Sequence, residues 1–305
     1  MTENNSENTN QEYSISLAKN YFNETEESMQ SRGKIPELGI SSMPELNEIM
    51  CGLPKNNLTV IGARTSMGKT SFAIQLMIDL LRNDKSVMYM GFEMSQTELI
   101  ERVFCNMYKI DNRKLLFGGF DEFATKWEDF KIKTENAKFV IGDKFGTNWK
   151  QLSDFLNELT KMPDVIVIDY IQAISQGQGE GKSFIDDYIL NFRNLSIEKG
   201  FAGVMVSQLN RASQDRKDTS PQLHDLKGSG YLEELADLCL LLNWTGRGKD
   251  DESKNDFEVN IAKNRRGPTG YKKVKYYPEH YLFTDWNADL NEATQEILDM
   301  SFDEN

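Results

Sequence analysis

Residues 58–76 read L-T-V-I-G-A-R-T-S-M-G-K-T-S-F-A-I-Q-L, and this stretch decides the fold. An apolar run comes first, a turn of small residues follows, and Gly-Lys-Thr then opens a helix-like segment. A strand, a loop and a helix in this order are the context in which a phosphate-binding loop occurs. Backbone N–H groups of such a loop, together with the helix dipole, favour a bound phosphate. We therefore expect a nucleotide to bind at a set of adjacent residues: Ala63, Arg64, Ser66, Met67, Gly68, Lys69, Thr70 and Ser71.

Two side chains of this loop carry the expected chemistry. Lys69 can reach the β- and γ-phosphates of a nucleoside triphosphate, and the Thr70 hydroxyl can bind Mg²⁺. The usual pattern has its first glycine where this chain has Ala63, with Gly62 one position early. Alanine can make that turn if its φ stays negative. A chance Gly-Lys-Thr in a loop is the alternative, which the flanking strand and helix disfavour.

The composition excludes several classes of protein. The chain has 305 residues, of which 39% are hydrophobic, and no apolar run approaches the ~18 residues of a membrane span. Its first residues are neither basic nor apolar, so we expect no signal peptide, no membrane partner and a cytoplasmic location. The three cysteines lack C-x-x-C spacing and only two histidines are present. Buried, reduced thiols are therefore expected instead of a zinc site.

The acidic net charge is concentrated at the two ends of the chain. Residues 1–35 carry six acids and three bases, and residues 285–305 carry seven acids and no base, within a total of −13. Bases cluster between these segments, at Arg211, Arg216, Lys217 and Lys227 and at Lys263, Arg265, Arg266, Lys272, Lys273 and Lys275. A local basic channel for a polyanion is therefore compatible with the overall acidity. Ordinary solvated faces are the alternative, most of all for residues 272–275.

Hydrophobic patterning divides the chain into four segments. We predict a disordered acidic tail over residues 1–12, a helix within 13–34, a folded domain over 35–286 and an acidic tail over 287–305. The helix has apolar residues at helical spacing between Tyr13 and Met29. The apolar face of this short helix must be buried in a groove, and either its own domain or a neighbouring subunit could supply that groove.

Apolar runs alternate with helix-like segments through the domain. The runs lie at 58–61, 87–91, 165–168, 202–206 and 238–242, and helices are predicted at 96–108, around 186–199 and within 111–138. Continuous apolar runs separated by helices indicate parallel strands that are buried on both faces. Alternating segments after Phe257 indicate antiparallel strands. The predicted class is α/β, with a mostly parallel sheet and a C-terminal antiparallel extension.

Three polar side chains follow these strands within two residues, at the strand ends where ligands of parallel sheets bind. Asp169 could hold Mg²⁺ through water, although an aspartate after a strand is also often a helix cap. Glu93 could act as a general base, because Ser95 and Glu98 already supply the cap of the next helix. Gln208 could sense the γ-phosphate and report its loss to the long loop 212–230.

Two loops and one turn are candidates for binding a phosphate chain. Gly-Ser-Gly at the end of loop 212–230 lets backbone N–H groups approach phosphates, and loop 176–182 has the same character. The expected DNA-binding residues are Lys182, Lys227, Gly228, Ser229 and Gly230. The cationic turn 263–270 is either a solvated hairpin or an arginine finger that completes the site of a neighbour.

Together these motifs resemble the motor domain of DnaB-type replicative helicases. The resemblance extends from about Tyr13 to Phe283 and rests on A-R-T-S-M-G-K-T (63–70), G-F-E-M-S (91–95), I-D-Y-I-Q (168–172), S-Q-L-N-R (207–211) and A-K-N-R-R-G-P-T-G (262–270). It implies a RecA-like fold, a homohexameric ring with ATP sites between subunits, and single-stranded DNA in a central channel.

The resemblance also implies roles for individual residues. Lys69 and Thr70 become ligands of phosphate and Mg²⁺, Glu93 the catalytic base, Asp169 the metal carboxylate and Gln208 the γ-phosphate sensor. Lys263 and Arg265 become finger residues that act in the site of a neighbouring subunit. Residues 227–230 become the DNA loop, and the helix within 13–34 becomes the linker that docks on the adjacent subunit.

The chain departs from the family pattern at its N-terminus. Family members usually carry a helical N-terminal domain that engages primase, whereas about a dozen polar residues precede the predicted linker helix here. A helicase loader or primase is still a possible partner, and a compact helicase of this kind suits a phage or plasmid replicon. Two alternatives are a RecA-like recombinase or recombination-mediator ATPase, and a non-catalytic ring that joins another helicase.

Overall fold

The computed structural model describes residues 38–135, 137–142, 149–174, 182–210, 220–226, 230–250 and 252–288, together with Glu26 and Met29. The side chains of residues 182 and 183 lie outside this description. The chain forms two compact units, residues 1–37 and residues 38–305. Glu26 and Met29 are helical, and the boundaries expected for the terminal segments and the linker helix stay predictions.

A nine-stranded sheet forms the centre of the larger unit, in the order β3-β2-β4-β5-β1-β6-β7-β8-β9. Neighbours from β3 to β6 are parallel, and those from β6 to β9 are antiparallel. The strands are β1 Leu58–Ala63, β2 Val87–Gly91, β3 Phe139–Gly142, β4 Val165–Asp169, β5 Ala202–Gln208, β6 Leu238–Asn243, β7 Asp256–Asn264, β8 Gly270–Tyr277 and β9 Leu282–Asp285. The predicted α/β class, with its antiparallel C-terminal extension, is confirmed.

Helices cover the sheet on both faces. They are α1 Pro44–Met50, α2 Lys69–Arg82, α3 Gln96–Tyr108, α4 Asn112–Leu116, α5 Ala124–Glu135, α6 Trp149–Glu158, α7 Lys182–Lys199 and α8 Gly230–Leu235. One apolar core lies under α1, α2, α3 and α5, and the other lies under α6, α7 and α8. Because both faces are covered, β1 and β4 are buried at every position, as their continuous apolar sequences predict. Among the helices described, none is both long and apolar enough to span a membrane.

One parallel strand was missed by the sequence interpretation. β3 pairs with β2 at the edge of the sheet, and the burial of its four residues is uneven. Its apolar sequence, Phe-Val-Ile, is only three residues long, and a run this short does not distinguish a strand from part of a helix. The helices expected within 111–138 are confirmed as α4 and α5 with a short 3₁₀ segment between them, and α7 begins at residue 182, before the expected start.

Helix α2 is anchored by buried polar contacts along its length. The backbone N–H and hydroxyl of Ser42 both donate to the fully buried Asp79 carboxylate. Burial raises the pKa of Asp79, and these donors oppose that rise. One turn earlier, the Gln75 side-chain oxygen accepts from Asn106 Nδ2 and from the Phe283 backbone N–H. The helix that begins at the phosphate loop is therefore fixed to α3 and to β9.

The three cysteines differ in their environment, which predicts their order of reaction. Burial raises the pKa of Cys105 and of Cys239 to about 12, whereas Cys51 is half-exposed. In the folded protein at pH 8 we expect Cys51 to react first with a chromogenic disulfide reagent, because the thiolate is the reactive species. The other two thiols should react only after unfolding in denaturant. Equal reaction rates for all three in the folded protein would contradict the buried positions.

Candidate nucleotide-binding site

The phosphate loop lies at the carboxyl edge of the parallel strands. β1 is paired with β5 on one side and β6 on the other, so its end is fixed, and α2 begins six residues later at Lys69. Gly68 has φ +78°, a conformation that favours glycine. Ala63 is the last residue of β1, and the position before it is closely packed, since a Cβ on Gly62 would come within 2.8 Å of Leu241 Cδ2. The early glycine of the motif thus has a packing role.

A cavity of ≈ 340 Å³ opens above this loop. Its walls come from the loop and the start of α2, from the segment after β2, from α3, and from the antiparallel extension. The lining residues are Thr65, Ser66, Gly68, Lys69, Thr70, Ser71, Glu93, Met94, Glu98, Arg102, Tyr276 and Tyr281. Five predicted residues of the site are not part of this lining: Ala63, Arg64, Met67, Asp169 and Gln208. Met67 Sδ contacts Arg247 Nη1 at 4.0 Å.

Lys69 and Glu93 face the same volume. Their Nζ and Oε2 atoms are 2.9 Å apart, with the lysine side chain largely buried and the glutamate side chain half-exposed. Lys69 Nζ also lies 4.7 Å from the centroid of the Tyr170 ring. A phosphate bound by Lys69 would therefore be next to a carboxylate that is able to accept a proton.

Asp169 lies at the tip of β4, and only one of its two carboxylate oxygens accepts a hydrogen bond from the described residues. The Tyr89 hydroxyl donates to Oδ2 at 2.7 Å, whereas Oδ1 is buried and has no hydrogen-bond partner among the described residues. The Phe92 N–H donates to the Asp169 carbonyl, which joins the tips of β2 and β4. Carboxylate and hydroxyl oxygens are ligands that Mg²⁺ prefers, so Asp169 and the Thr70 hydroxyl fit this ion.

Gln208, the expected γ-phosphate sensor, is directed toward the phosphate loop. Its side-chain amide donates to Thr65 Oγ1. Its backbone N–H donates to Gln172 Oε1 at 3.0 Å, and Gln172 Nε2 donates to Ser207 Oγ at 2.8 Å. Gln172 thereby joins the segment after β4 to the end of β5. It follows Asp169 by three residues, yet its sequence position alone did not indicate this bridge.

Lys263 and Arg265 lie at the opposite edge of the sheet from the loop. Lys263 Nζ donates to the carbonyls of Glu233 and Glu234, at 2.7 and 2.9 Å, near the end of α8. Arg265 Nη1 forms an ion pair with Asp237 Oδ1 at 3.0 Å. Neither residue lines the cavity of its own chain.

The expected DNA-binding residues fall mostly outside the described structure. Lys227, Gly228, Ser229 and the side chain of Lys182 are not described. Gly230 is the first residue of α8. These assignments therefore stay predictions.

Comparison with known proteins identifies the family. The model of the DnaB-like helicase C-terminal domain matches residues 39–285. The chain belongs to this family. It is 34% identical over 235 residues to a probable plasmid replicative DNA helicase of Chlamydia psittaci, which covers 75% of this chain and 51% of that protein. It is 27% identical over 260 residues to the replicative DNA helicase DnaC of Bacillus subtilis, with coverage of 82% and 57%.

A solved structure shares the fold. A DnaB-like replicative helicase, studied with its interactions with primase, superposes with a TM-score of 0.77 at 27% identity, covering 90% of this chain and 69% of that one. The chain spans about half the length of the curated relatives it matches. The DnaB-like family uses ATP, which agrees with the nucleotide predicted from the loop.

Six residues that line the cavity of this DnaB-like domain were not among the predicted site residues: Thr65, Met94, Glu98, Arg102, Tyr276 and Tyr281. The Tyr276 hydroxyl lies 3.0 Å from Ser71 Oγ, and Arg102 lies 5.0 Å from the Tyr281 ring. Arg102 also forms an ion pair with Glu98 at 2.6 Å, and its buried Nε has no hydrogen-bond partner among the described residues. The Glu98–Arg102 spacing on the helix after Glu93 is a signal that could have been used. Tyr276 comes from β8 and Tyr281 from the turn before β9, both distant in sequence from the phosphate loop, and no local pattern indicated them.

The left-handed conformation of Gly68 predicts the effect of an alanine there. Alanine costs about 1–2 kcal/mol in this conformation, and its Cβ would lie 3.3 Å from Tyr276 Cε1. We expect Gly68→Ala to lower both the free energy of unfolding and the affinity for nucleotide, measured by urea titration and equilibrium binding.

Gly118→Ala is the matched control. Gly118 has φ +85°, and a Cβ added there would have no atom of the described residues within 4 Å, so the same backbone strain arises outside the cavity lining. This variant should lose similar stability and keep the wild-type affinity for nucleotide. Equal losses of affinity in the two variants would mean that the Gly68 effect is not local to the loop.

Proposed function

We propose that this protein is an ATP-dependent, ring-forming replicative DNA helicase that translocates on single-stranded DNA. The observation that carries the proposal is the separation of the two halves of a hydrolysis site. Lys69, Glu93 and the phosphate loop are at one edge of the sheet, and Lys263 and Arg265 are at the other.

The separation follows from the length of β1. Asp237, the partner of Arg265, bonds to both backbone groups of Leu58 at the start of this strand. The phosphate loop begins after Ala63, at its other end. Five steps of about 3.3 Å along a strand give roughly 17 Å. Arg265 can therefore complete only the site of another copy, which supports a ring with ATP sites between subunits and, by the family resemblance, a hexamer.

The geometry supports a separate role for each of these residues in ATP hydrolysis. The loop N–H groups and Lys69 would bind the β- and γ-phosphates, so Lys69 would exchange its contact with Glu93 for phosphate. The released Glu93 carboxylate would take a proton from the water that attacks the γ-phosphorus. Mg²⁺, held by Thr70 and Asp169, would neutralise charge on the phosphate oxygens. Arg265 of the neighbour would stabilise the charge of the transition state.

The finger residues also contact the element that follows the proposed DNA loop. Lys263 holds the last turn of α8, and α8 begins at Gly230. Burial, followed by repulsion from Arg265, lowers the pKa of Lys263. An approaching phosphate would favour its charged form. Binding or hydrolysis of nucleotide in the neighbour's site would thus change the contacts of Lys263 with α8, the helix that follows residues 227–229. We propose that residues 227–230, together with Lys182, contact the DNA backbone.

The names of the relatives favour this function over the alternatives. The matched proteins are named replicative DNA helicases, which favours a helicase over a recombinase or a non-catalytic ring. The similar solved structure concerns interactions with primase, which supports a primase or a helicase loader as a further partner. We also propose that the helix within residues 13–34 docks on the adjacent subunit.

Unwinding of a forked duplex with ATP and Mg²⁺, together with ATP hydrolysis stimulated by single-stranded DNA, tests the function directly.

Glu93→Gln should bind ATP with near wild-type affinity but hydrolyse it ~10²–10⁴-fold more slowly, because the base is removed. Glu122→Gln, which changes an exposed carboxylate paired with Lys114, is the control and should keep full activity. Wild-type turnover in Glu93→Gln would reject this residue as the base.

Mixing experiments test the action of Arg265 between subunits. Arg265→Ala should lose hydrolysis by roughly 10³–10⁵-fold, the range typical of arginine fingers, and keep its nucleotide affinity. Adding subunits with Lys69→Ala should restore part of the activity, since the two variants together supply one complete site.

Arg266→Ala is the control for the turn that carries Arg265. Arg266 donates to the carbonyls of Leu53 and Cys51, away from the cavity, so its loss should leave hydrolysis intact. If mixtures of Arg265→Ala and Lys69→Ala that exchange subunits stay inactive, action between subunits is rejected.

A further inference from the structure

Tyr89 is a buried side chain that contacts the proposed metal carboxylate from inside the sheet. It has no solvent exposure and belongs to the apolar core beneath α2 and α3. Tyr89 and Gly91 are two residues apart on β2, so they share a face of the sheet. Gly91 is the residue paired with Asp169. The tyrosine ring passes under Gly91, where a Cβ would lie 3.4 Å from Tyr89 Cε1.

The hydroxyl of Tyr89 is a polar group buried in an apolar core. The neighbouring core is apolar, and a phenylalanine would bury the same ring without the cost of a buried polar group. The hydroxyl instead donates to Asp169 Oδ2 at 2.7 Å.

This hydrogen bond makes the two oxygens of Asp169 different. Oδ2 is occupied by Tyr89, and Oδ1 is buried without a partner among the described residues. A carboxylate held by one oxygen cannot rotate freely about its last bond. Groups that hold metal ligands in this way affect the metal affinity strongly, because they fix the orientation of the ligand.

We propose that Tyr89 is a positioning residue for the Mg²⁺–nucleotide complex, fixing the Asp169 carboxylate so that Oδ1 is the oxygen available to the ion or to its bound water. The inference rests on the proposed function of Asp169 as the metal carboxylate. Tyr89 has no direct contact with the nucleotide in this arrangement, since it acts through Asp169.

The test is the dependence of nucleotide binding on Mg²⁺ in the full chain. A fluorescent ATP analogue is titrated at a series of Mg²⁺ concentrations, and its affinity is also measured in EDTA. Tyr89→Phe should raise the Mg²⁺ concentration for half-maximal effect by ~10–100-fold. The affinity in EDTA should be the same as in the wild type, because the contacts of the phosphate loop are unchanged.

Tyr108→Phe is the matched control for the loss of a buried donor. Tyr108 also donates to an aspartate, Asp129, at 2.6 Å, but it lies at the far end of α3 from the cavity. Both variants lose a tyrosine–aspartate hydrogen bond, and only Tyr89→Phe should change the Mg²⁺ dependence. Equal shifts in the two variants, or no shift in Tyr89→Phe, would overturn the inference.

The Asp169→Asn variant separates this inference from the proposed function. If wild-type binding depends on Mg²⁺ and Asp169→Asn loses that dependence, the metal role of Asp169 stands whatever the result for Tyr89→Phe. If wild-type binding does not depend on Mg²⁺, the proposed metal site is overturned and the inference with it. In the Asp169→Asn background, Tyr89→Phe should have no further effect on the Mg²⁺ dependence; an additional shift there would contradict action through Asp169.

Discussion

The burial of β1 between β5 and β6 is the constraint on which the rest of the structure depends. Hydrogen bonds on both sides and helices on both faces fix this six-residue strand along its length. One end presents the phosphate loop, and the other end bonds through Leu58 to Asp237, the anchor of Arg265. A single rigid element therefore sets the distance between the nucleotide cavity and the proposed finger residues, and this distance is the basis of the proposed site shared between subunits.

The polar side chains at the strand ends are held in place by hydrogen bonds from residues that do not line the cavity. Gln172 joins the segment after β4 to the backbone of Gln208, and Tyr89 holds Asp169 from within the core. The residues expected to touch phosphate or metal thus depend on buried partners that do not touch either. Such partners fix orientation at the cost of burying polar atoms, which is tolerated where a ligand site requires it.

Much of the fold could be predicted because a strand that is buried on both faces has a continuous apolar sequence, which is easy to recognise. The continuous apolar runs became the central parallel strands, and Glu93, Asp169 and Gln208 follow three of them at one edge of the sheet. β3 was missed because its apolar sequence, Phe-Val-Ile, is too short to distinguish a strand from part of a helix. The contributions of Tyr276, Tyr281 and Tyr89 were missed because each contacts residues far away in the sequence, and no local spacing indicates such contacts.

The central claim is that the nucleotide site is completed by a second copy of the chain. A cryo-electron microscopy reconstruction of the protein assembled with single-stranded DNA and a non-hydrolysable ATP analogue tests it most directly. The account predicts a ring in which Arg265 of one subunit contacts the γ-phosphate bound by Lys69 of the next subunit. An assembly in which Arg265 stays paired with Asp237, out of contact with every bound nucleotide, would contradict it.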